Sequence, residues 1–478
     1  MLGLLTDLMA KADGRCAYAE ARHVATDTED LAVRNGQVDD ISSSTAEGIG
    51  VRVRVGGGWG FAATRDLSAV GAEEALGRAL AIAEAQPAGP ATPLAPVEPA
   101  RGHWASAFAI DPFGVSLEDK LALLFAAEAA LRGDQRIVRT IAAAGAWRER
   151  KAFASTDGAA CTQELVACGG GIAAYASGDG ELQIRSYPLA HGGGFTAAGW
   201  EHVAAMDLLG QAPRVAAEAV ELLTAPPCPE GLQTVVLHGE QVALQVHESI
   251  GHALELDRIL LEEASYAGTS WVGPGDIGSL RYGSEHLHVT ADATTPGGLG
   301  TFGWDDEGVA ATRTPLIRDG VLRGALSNRE SAAAVGLGAS SGCARADGFA
   351  RQPIVRMTNV SIEPGDAGTL ADLLADTGEG LYLETNRSWS IDDRRLQFQF
   401  ATELAREIRG GELGRMYRNP SYAGVTPRFW GSLDAVCGPG EWHLWGLVNC
   451  GKGEPGQVME VSHGAAPARF RDVQVGVA

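Results

Sequence analysis

Two histidines five residues apart constrain this chain more than any other feature, in the run His247-Glu248-Ser249-Ile250-Gly251-His252. Each helical residue turns the chain by ~100°, so positions five apart point ~140° away from one another. Both rings can reach one ion only if the helix opens locally, most simply through a π-type turn. Gly251, just before the second histidine, removes side-chain bulk where that distortion is expected.

Imidazole nitrogens suit zinc, and a catalytic zinc takes three protein ligands with one position left for water. A carboxylate beside the first ligand, here Glu248, can accept a proton from such a water. The plainer alternative is a helix with two hydrogen-bonded histidines and a solvated glutamate. Glu255 and Asp257 follow one turn later, where they either orient a ligand ring or form a polar helix face. Spacing alone leaves the third ligand open among Glu255, the strand pair His286 and His288, His443, His463, Cys343, Cys437 and Cys450. Cys450 lies in the glycine-rich run Asn449-Cys450-Gly451-Lys452-Gly453-Glu454-Pro455-Gly456-Gln457, too irregular for a helix or strand. A cysteine in a loop near Lys452 is suited to be a thiolate, whereas most lone cysteines are core residues.

Charge narrows the partners. With 38 basic and 60 acidic residues the chain carries a net charge of −22. Such a field repels phosphate backbones and anionic lipid surfaces, so neither nucleic acid nor a membrane surface is expected as a partner. No run approaches the ~18 apolar residues of a membrane helix. Met1 to Ala10 lacks a basic start and contains Asp7, with Lys11 and Asp13 following, so no signal peptide is expected. Seven scattered cysteines do not make a disulfide framework; they fit a reducing, cytoplasmic setting.

The 478 residues divide into three regions in an α+β reading. Region 1–95 carries a hairpin around Asn35-Gly36, an alternating strand Val51 to Val55 that turns at Gly56 to Gly58, and a helix from Val70 to Ala85. A Pro/Ala-rich linker follows from Pro87 to Pro99. Region 110–225 opens with an amphipathic helix, Ser116 to Arg132, and closes with a helix near Val215 to Leu223. Between them strands alternate with glycine-rich turns. After Ala225-Pro226-Pro227-Cys228-Pro229, region 229–478 is β-rich, with turns at Asp319-Gly320 and Gly410-Gly411, and it carries the metal-binding helix.

On these residues the chain resembles the TldD/PmbA family of metallopeptidases, in its catalytic TldD-like branch. The likeness rests on His247-Glu248-x-x-x-His252-x-x-Glu255-x-Asp257 and on the distant Asn449-Cys450-Gly451-Lys452-Gly453. It extends to Val33-Arg34-Asn35-Gly36, Gly58-Trp59-Gly60-Phe61 and Asp305-Asp306-Glu307-Gly308, in the family's order along almost the whole chain. The resemblance implies that His247, His252 and Cys450 bind Zn2+ and that Glu248 is the general base. It implies an N-terminal α+β part before a β-rich C-terminal catalytic domain, assembled as a dimer around an internal chamber. The partner in that dimer is a second copy or a PmbA/TldE-like subunit. The expected activity is a zinc-dependent peptidase acting on unfolded polypeptides, including leader segments of modified peptide precursors.

Two other readings stand beside this one. A dipeptidyl-peptidase-like zinc enzyme shares the five-residue histidine spacing but takes a glutamate ligand from a second acidic helix, for which no convincing match is found. A non-catalytic modulator or assembly protein could hold zinc structurally, but such a site has no use for Glu248 beside its ligand.

Overall fold

The Asn35-Gly36 pair does what its chemistry allows: both residues take positive φ, 49° and 76°, and close a tight hairpin. That hairpin joins β1 (Tyr18–Arg34) to β2 (Gln37–Val55), and Gly56-Gly57 turns the chain again into β3 (Gly58–Thr64). The computed structural model describes residues 1–86, 92–178, 180–190, 192–263 and 268–477. Of the Pro/Ala-rich linker at 87–99, residues 87–91 lie outside the described residues. The remainder is held, because Ala95 exchanges hydrogen bonds of 2.9 Å with the backbone and side chain of Arg329.

The second region continues the same sheet. After β4 (Arg101–Ala105), which precedes it, its strands are β5 (Ile137–Ser155), β6 (Ala160–Gly178), β7 (Glu181–Tyr187) and β8 (Gly194–Thr196). The order is β3-β2-β1-β5-β6-β4, with β7 and β8 also on β6. β1 and β5 pair antiparallel from Glu20 opposite Ser155 to Arg34 opposite Ile141. Helices Leu2–Ala12 and Ala69–Glu84 bury Leu5, Leu8, Leu76 and Leu80 with Ile49, Val51 and Val53 of β2. Helices Leu117–Leu131 and Leu208–Leu222 form a second cluster with Val33, Ala142 and Ile172. Helix Leu208–Leu222 begins earlier than the Val215 expected from the sequence. Asp207 caps it by accepting from the Gly210 N–H, and the helix runs on through Pro213.

The third region is β-rich and holds the largest core. Strand Gly231–Leu237 lies between Glu379–Ile391, parallel to it, and Ala468–Val477, antiparallel, in a seven-stranded sheet. The turns at Asp319-Gly320 and Gly410-Gly411 close hairpins, with positive φ at all four residues. Strand Gly231–Leu237 passes through His238 straight into helix Gly239–Val246, which carries the histidine motif at its far end. Two of the outlying segments behind the family resemblance join this region to the first sheet. Arg52 on β2 bridges Glu20 (2.8 Å) and Glu307 (2.7 Å), and Trp59 donates to Glu330 at 2.9 Å.

Candidate metal centre

The helix opens where the spacing requires it. His247–Gly251 is a π-turn in which the His252 N–H bonds to the His247 carbonyl. The rings of His247 and His252 consequently come within 4.7 Å, centroid to centroid. Gly251 removes side-chain bulk at the turn, as its place before His252 led one to expect. Its φ of −53° and ψ of −60° suit any residue, but a Cβ there would lie 2.1 Å from Met357 Sδ. Glycine is needed for close packing under the turn, not for backbone freedom. Tyr282 steadies the turn by donating its hydroxyl to the Ser249 carbonyl, and Trp430 donates to Ser249 Oγ at 2.9 Å.

Of the candidates for third ligand, the fold brings in Cys450. The ligand atoms of His247, His252 and Cys450 all lie within 4.8 Å of one another, and all three residues are buried. Cys450 Sγ is 3.6 Å from His252 Nε2. Tetrahedral zinc with Zn–N of ~2.0 Å and Zn–S of ~2.3 Å sets its ligand atoms roughly 3.5 Å apart, so the donor set fits. The local structure around Cys450 corrects the loop expectation. Cys450 sits in strand His443–Lys452, paired with Gln457–Ala465, and a register shift between Leu447 and Cys450 breaks the alternation that would have marked a strand.

The other candidates lie elsewhere. His286 is in a turn and His288 precedes the strand Val289–Asp292, so they do not form a strand pair; His288 accepts from the Asp319 N–H instead. Cys343 packs beside Ser341, and burial pushes the Cys437 thiol up to about 12. Two candidates support the ligands from behind. His463 Nδ1 donates to the Val360 carbonyl (2.6 Å), so its Nε2 accepts from His247 Nδ1 at 2.8 Å. This relay leaves His247 Nε2 without a proton. His252 Nδ1 likewise donates to Glu255 at 3.0 Å, which frees its Nε2.

Electrostatics agree with that protonation pattern. Burial pulls His247 down to about 4 and lowers His252 and His463 as well, so all three are neutral at neutral pH. Burial pushes the Cys450 thiol up, but His252 and Arg356 outweigh it and the net direction is down. Arg356 also donates to the Cys450 carbonyl. Lys452 does not serve the thiol; its Nζ bonds both carboxylate oxygens of Asp257 and the Val355 carbonyl. Burial raises Glu255, yet Lys452, Arg258 and His252 hold it well below the usual carboxylate range.

The three donors open onto a cavity of about 460 Å³. Glu248 and Arg395 line it too, with Arg395 Nη1 2.9 Å from the Glu248 carboxylate. Arg395, in a turn with φ of 61°, escaped the sequence reading because nothing local marks it. Residues Trp445 to Gly451 line the cavity as well, together with Leu189, Ala190 and Gly193.

Comparison with known proteins places the chain. The family profiles of the PmbA/TldA metallopeptidase match domain 1 over residues 19–85, the central domain over 110–225 and the C-terminal domain over 230–477. A metalloprotease of Methanocaldococcus jannaschii is 29% identical over 421 residues, 88% of this chain and 89% of that protein. A metalloprotease of Methanothermobacter thermautotrophicus is 28% identical over 477 residues, 99% of this chain and 98% of its own. Among solved structures, a Thermotoga maritima protein described as a candidate modulator of a DNA gyrase superposes with a TM-score of 0.78 at 16% identity, covering 99% of each chain. TldE from Thermococcus kodakarensis superposes with a TM-score of 0.73 at 15% identity, covering 99% of this chain and 100% of that one. The motif helix, the distant cysteine strand and the outlying segments are thus parts of one pattern, and the chain belongs to the PmbA/TldD metallopeptidase family.

Proposed function

We propose that this chain is a zinc-dependent peptidase that cuts extended, unfolded polypeptide, with leader segments of modified peptide precursors among its substrates. One observation carries the reading. His247, His252 and Cys450 converge on a cavity wall beside a carboxylate, Glu248, that is not one of the three converging donors. Bound zinc would supply a Lewis acid that polarises the scissile carbonyl and acidifies water.

The protein's own groups account for the remainder. Glu248 takes the proton of the attacking water and delivers it to the leaving nitrogen. Arg395 bonds Glu248 and lines the same cavity, so its guanidinium is the group we assign to the carbonyl oxygen as that oxygen gains charge. Strand His443–Lys452 pairs with Gln457–Ala465 on one side, and its Trp445 to Gly451 segment lines the cavity. A substrate strand added along that segment would be held by main-chain hydrogen bonds, which tolerate varied side chains.

The proposed assembly is a dimer with a second copy or with a TldE-like subunit, a fold this chain shares. The proposed compartment is the cytoplasm, in keeping with seven cysteines that form no disulfide. The test is Glu248→Ala. It should retain one zinc per chain by metal analysis and lose peptide cleavage. Cleavage at near wild-type rate with metal bound would sink the assignment.

A further inference from the structure

Glu240 sits two turns before His247 along the motif helix and lines the same cavity, although only 6% exposed. Its carboxyl receives the Thr385 backbone N–H, while its Oε1 has no hydrogen-bond partner among the described residues. The surroundings are acidic. Glu384 and Glu403 lie close by, and the arginine that bears on all three carboxyls is Arg185. Arg185 is already committed, at 2.7 Å to Glu384 and 3.0 Å to both Glu403 and Glu218. Burial, with Glu384 and Glu403, pushes the Glu240 carboxyl up to about 8.

A buried carboxyl that its acidic neighbours keep protonated, set on a cavity surface, gives up its proton to solvent and pairs as a carboxylate when the ligand brings in a positive group. Leu189, Leu244 and Trp445 line the same cavity and suit the alkyl stem of such a group. Seven helical residues separate Glu240 from His247, a rise of about 10 Å. An extended chain advances ~3.3 Å per residue, so that distance corresponds to roughly three residues from the cut bond.

We propose that Glu240 forms a substrate subsite for a cationic group, a lysine or arginine side chain or the free amino terminus, about three residues from the scissile bond. This rests on the peptidase reading above.

Peptide binding to full-length, zinc-loaded Glu248→Ala protein tests the subsite apart from turnover. The probes are end-capped decapeptides with one lysine walked along the chain, the same set with norleucine, and a norleucine peptide with a free amino terminus. A tenfold or greater preference for lysine at one position, or for the free amine, is expected, and which arm shows it identifies the source of the cation. Adding Glu240→Gln should abolish the preference while leaving the norleucine affinity unchanged. Glu412→Gln, at an exposed glutamate on strand Glu412–Arg418, makes the same exchange away from the cavity and should preserve it. No preference, no binding of any peptide, or a preference that survives Glu240→Gln would overturn the subsite. A preference that follows Glu240 in a protein whose wild type cleaves none of these peptides would uphold the subsite and discard the peptidase reading alone.

Discussion

Lys452 reaches across from the cysteine strand to grip Asp257 beyond the histidine helix, its Nζ 2.8 Å from both carboxylate oxygens. The two residues are 195 positions apart in sequence, and each stands close to a candidate ligand: Lys452 two residues past Cys450, Asp257 five past His252. Lys452 also lies 3.4 Å from Glu255, the residue that orients His252. Removing it should loosen both halves of the centre. Lys452→Met leaves buried carboxylates short of a cation, a loss of about 3–5 kcal/mol. It should also weaken zinc binding by about 10–100-fold. Chemical denaturation of metal-free protein and competition with a chelator measure the two effects separately.

Cys450→Ser should lower zinc occupancy sharply, since a serine hydroxyl is a poor substitute for thiolate at neutral pH. Cys437→Ser should leave occupancy at the wild-type level, because that thiol is kept protonated by burial. Metal analysis of both variants decides. Full zinc in Cys450→Ser would move the third ligand elsewhere.

Arg395→Leu should hold its zinc and lose about 10²–10³ in kcat, the usual loss when a donor to the developing oxyanion is removed. KM should change far less. A variant that instead lost only substrate affinity would recast Arg395 as a binding group.

Acid should destabilise the metal-free protein through its buried histidines. Folding holds His247, His252 and His463 below the ordinary 6.5, so between that value and the folded one the unfolded chain binds more protons. Stability from these groups is complete above about pH 6.5 and drains away as pH falls toward 4. His247 alone, at about 4, accounts for roughly 3 kcal/mol. Unfolding curves across pH 7 to 4 should be shallower for His463→Gln, which removes one of the three, than for the parent protein.

Cleavage should follow disorder in the substrate. A stable domain and a destabilised mutant bearing the same peptide sequence should be cut in proportion to their unfolded fractions. Equal rates would count against an enclosed site reached by an extended strand.

Much of the centre was legible because helix geometry is strict. The five-residue spacing of His247 and His252 demanded a π-turn, and one is present. The hairpin at Asn35-Gly36 was equally legible, since positive φ at two successive positions selects few residues. The strand at Cys450 was not, because the register shift before it hides the alternation on which strand reading depends. Arg395 and His463 were obscured for another reason. Their roles come from distant chain segments meeting, 147 residues from Glu248 and 216 from His247, and no local pattern encodes such a meeting. The need for a residue without side-chain bulk at Gly251 was legible, but Met357, which fills that space, is likewise remote.

The relay from Val360 through His463 to His247 has a consequence for how the centre fills. Both imidazoles already present a bare nitrogen to the site, one set by His463 and the other by Glu255. Neither has a proton to shed when an ion arrives. Only the Cys450 thiol can release one, and its surroundings lower it from its ordinary range. Loading therefore sets free at most one H+ per ion from these three donors. Uptake followed in weakly buffered indicator dye should give a stoichiometry between zero and one, falling toward zero as pH rises.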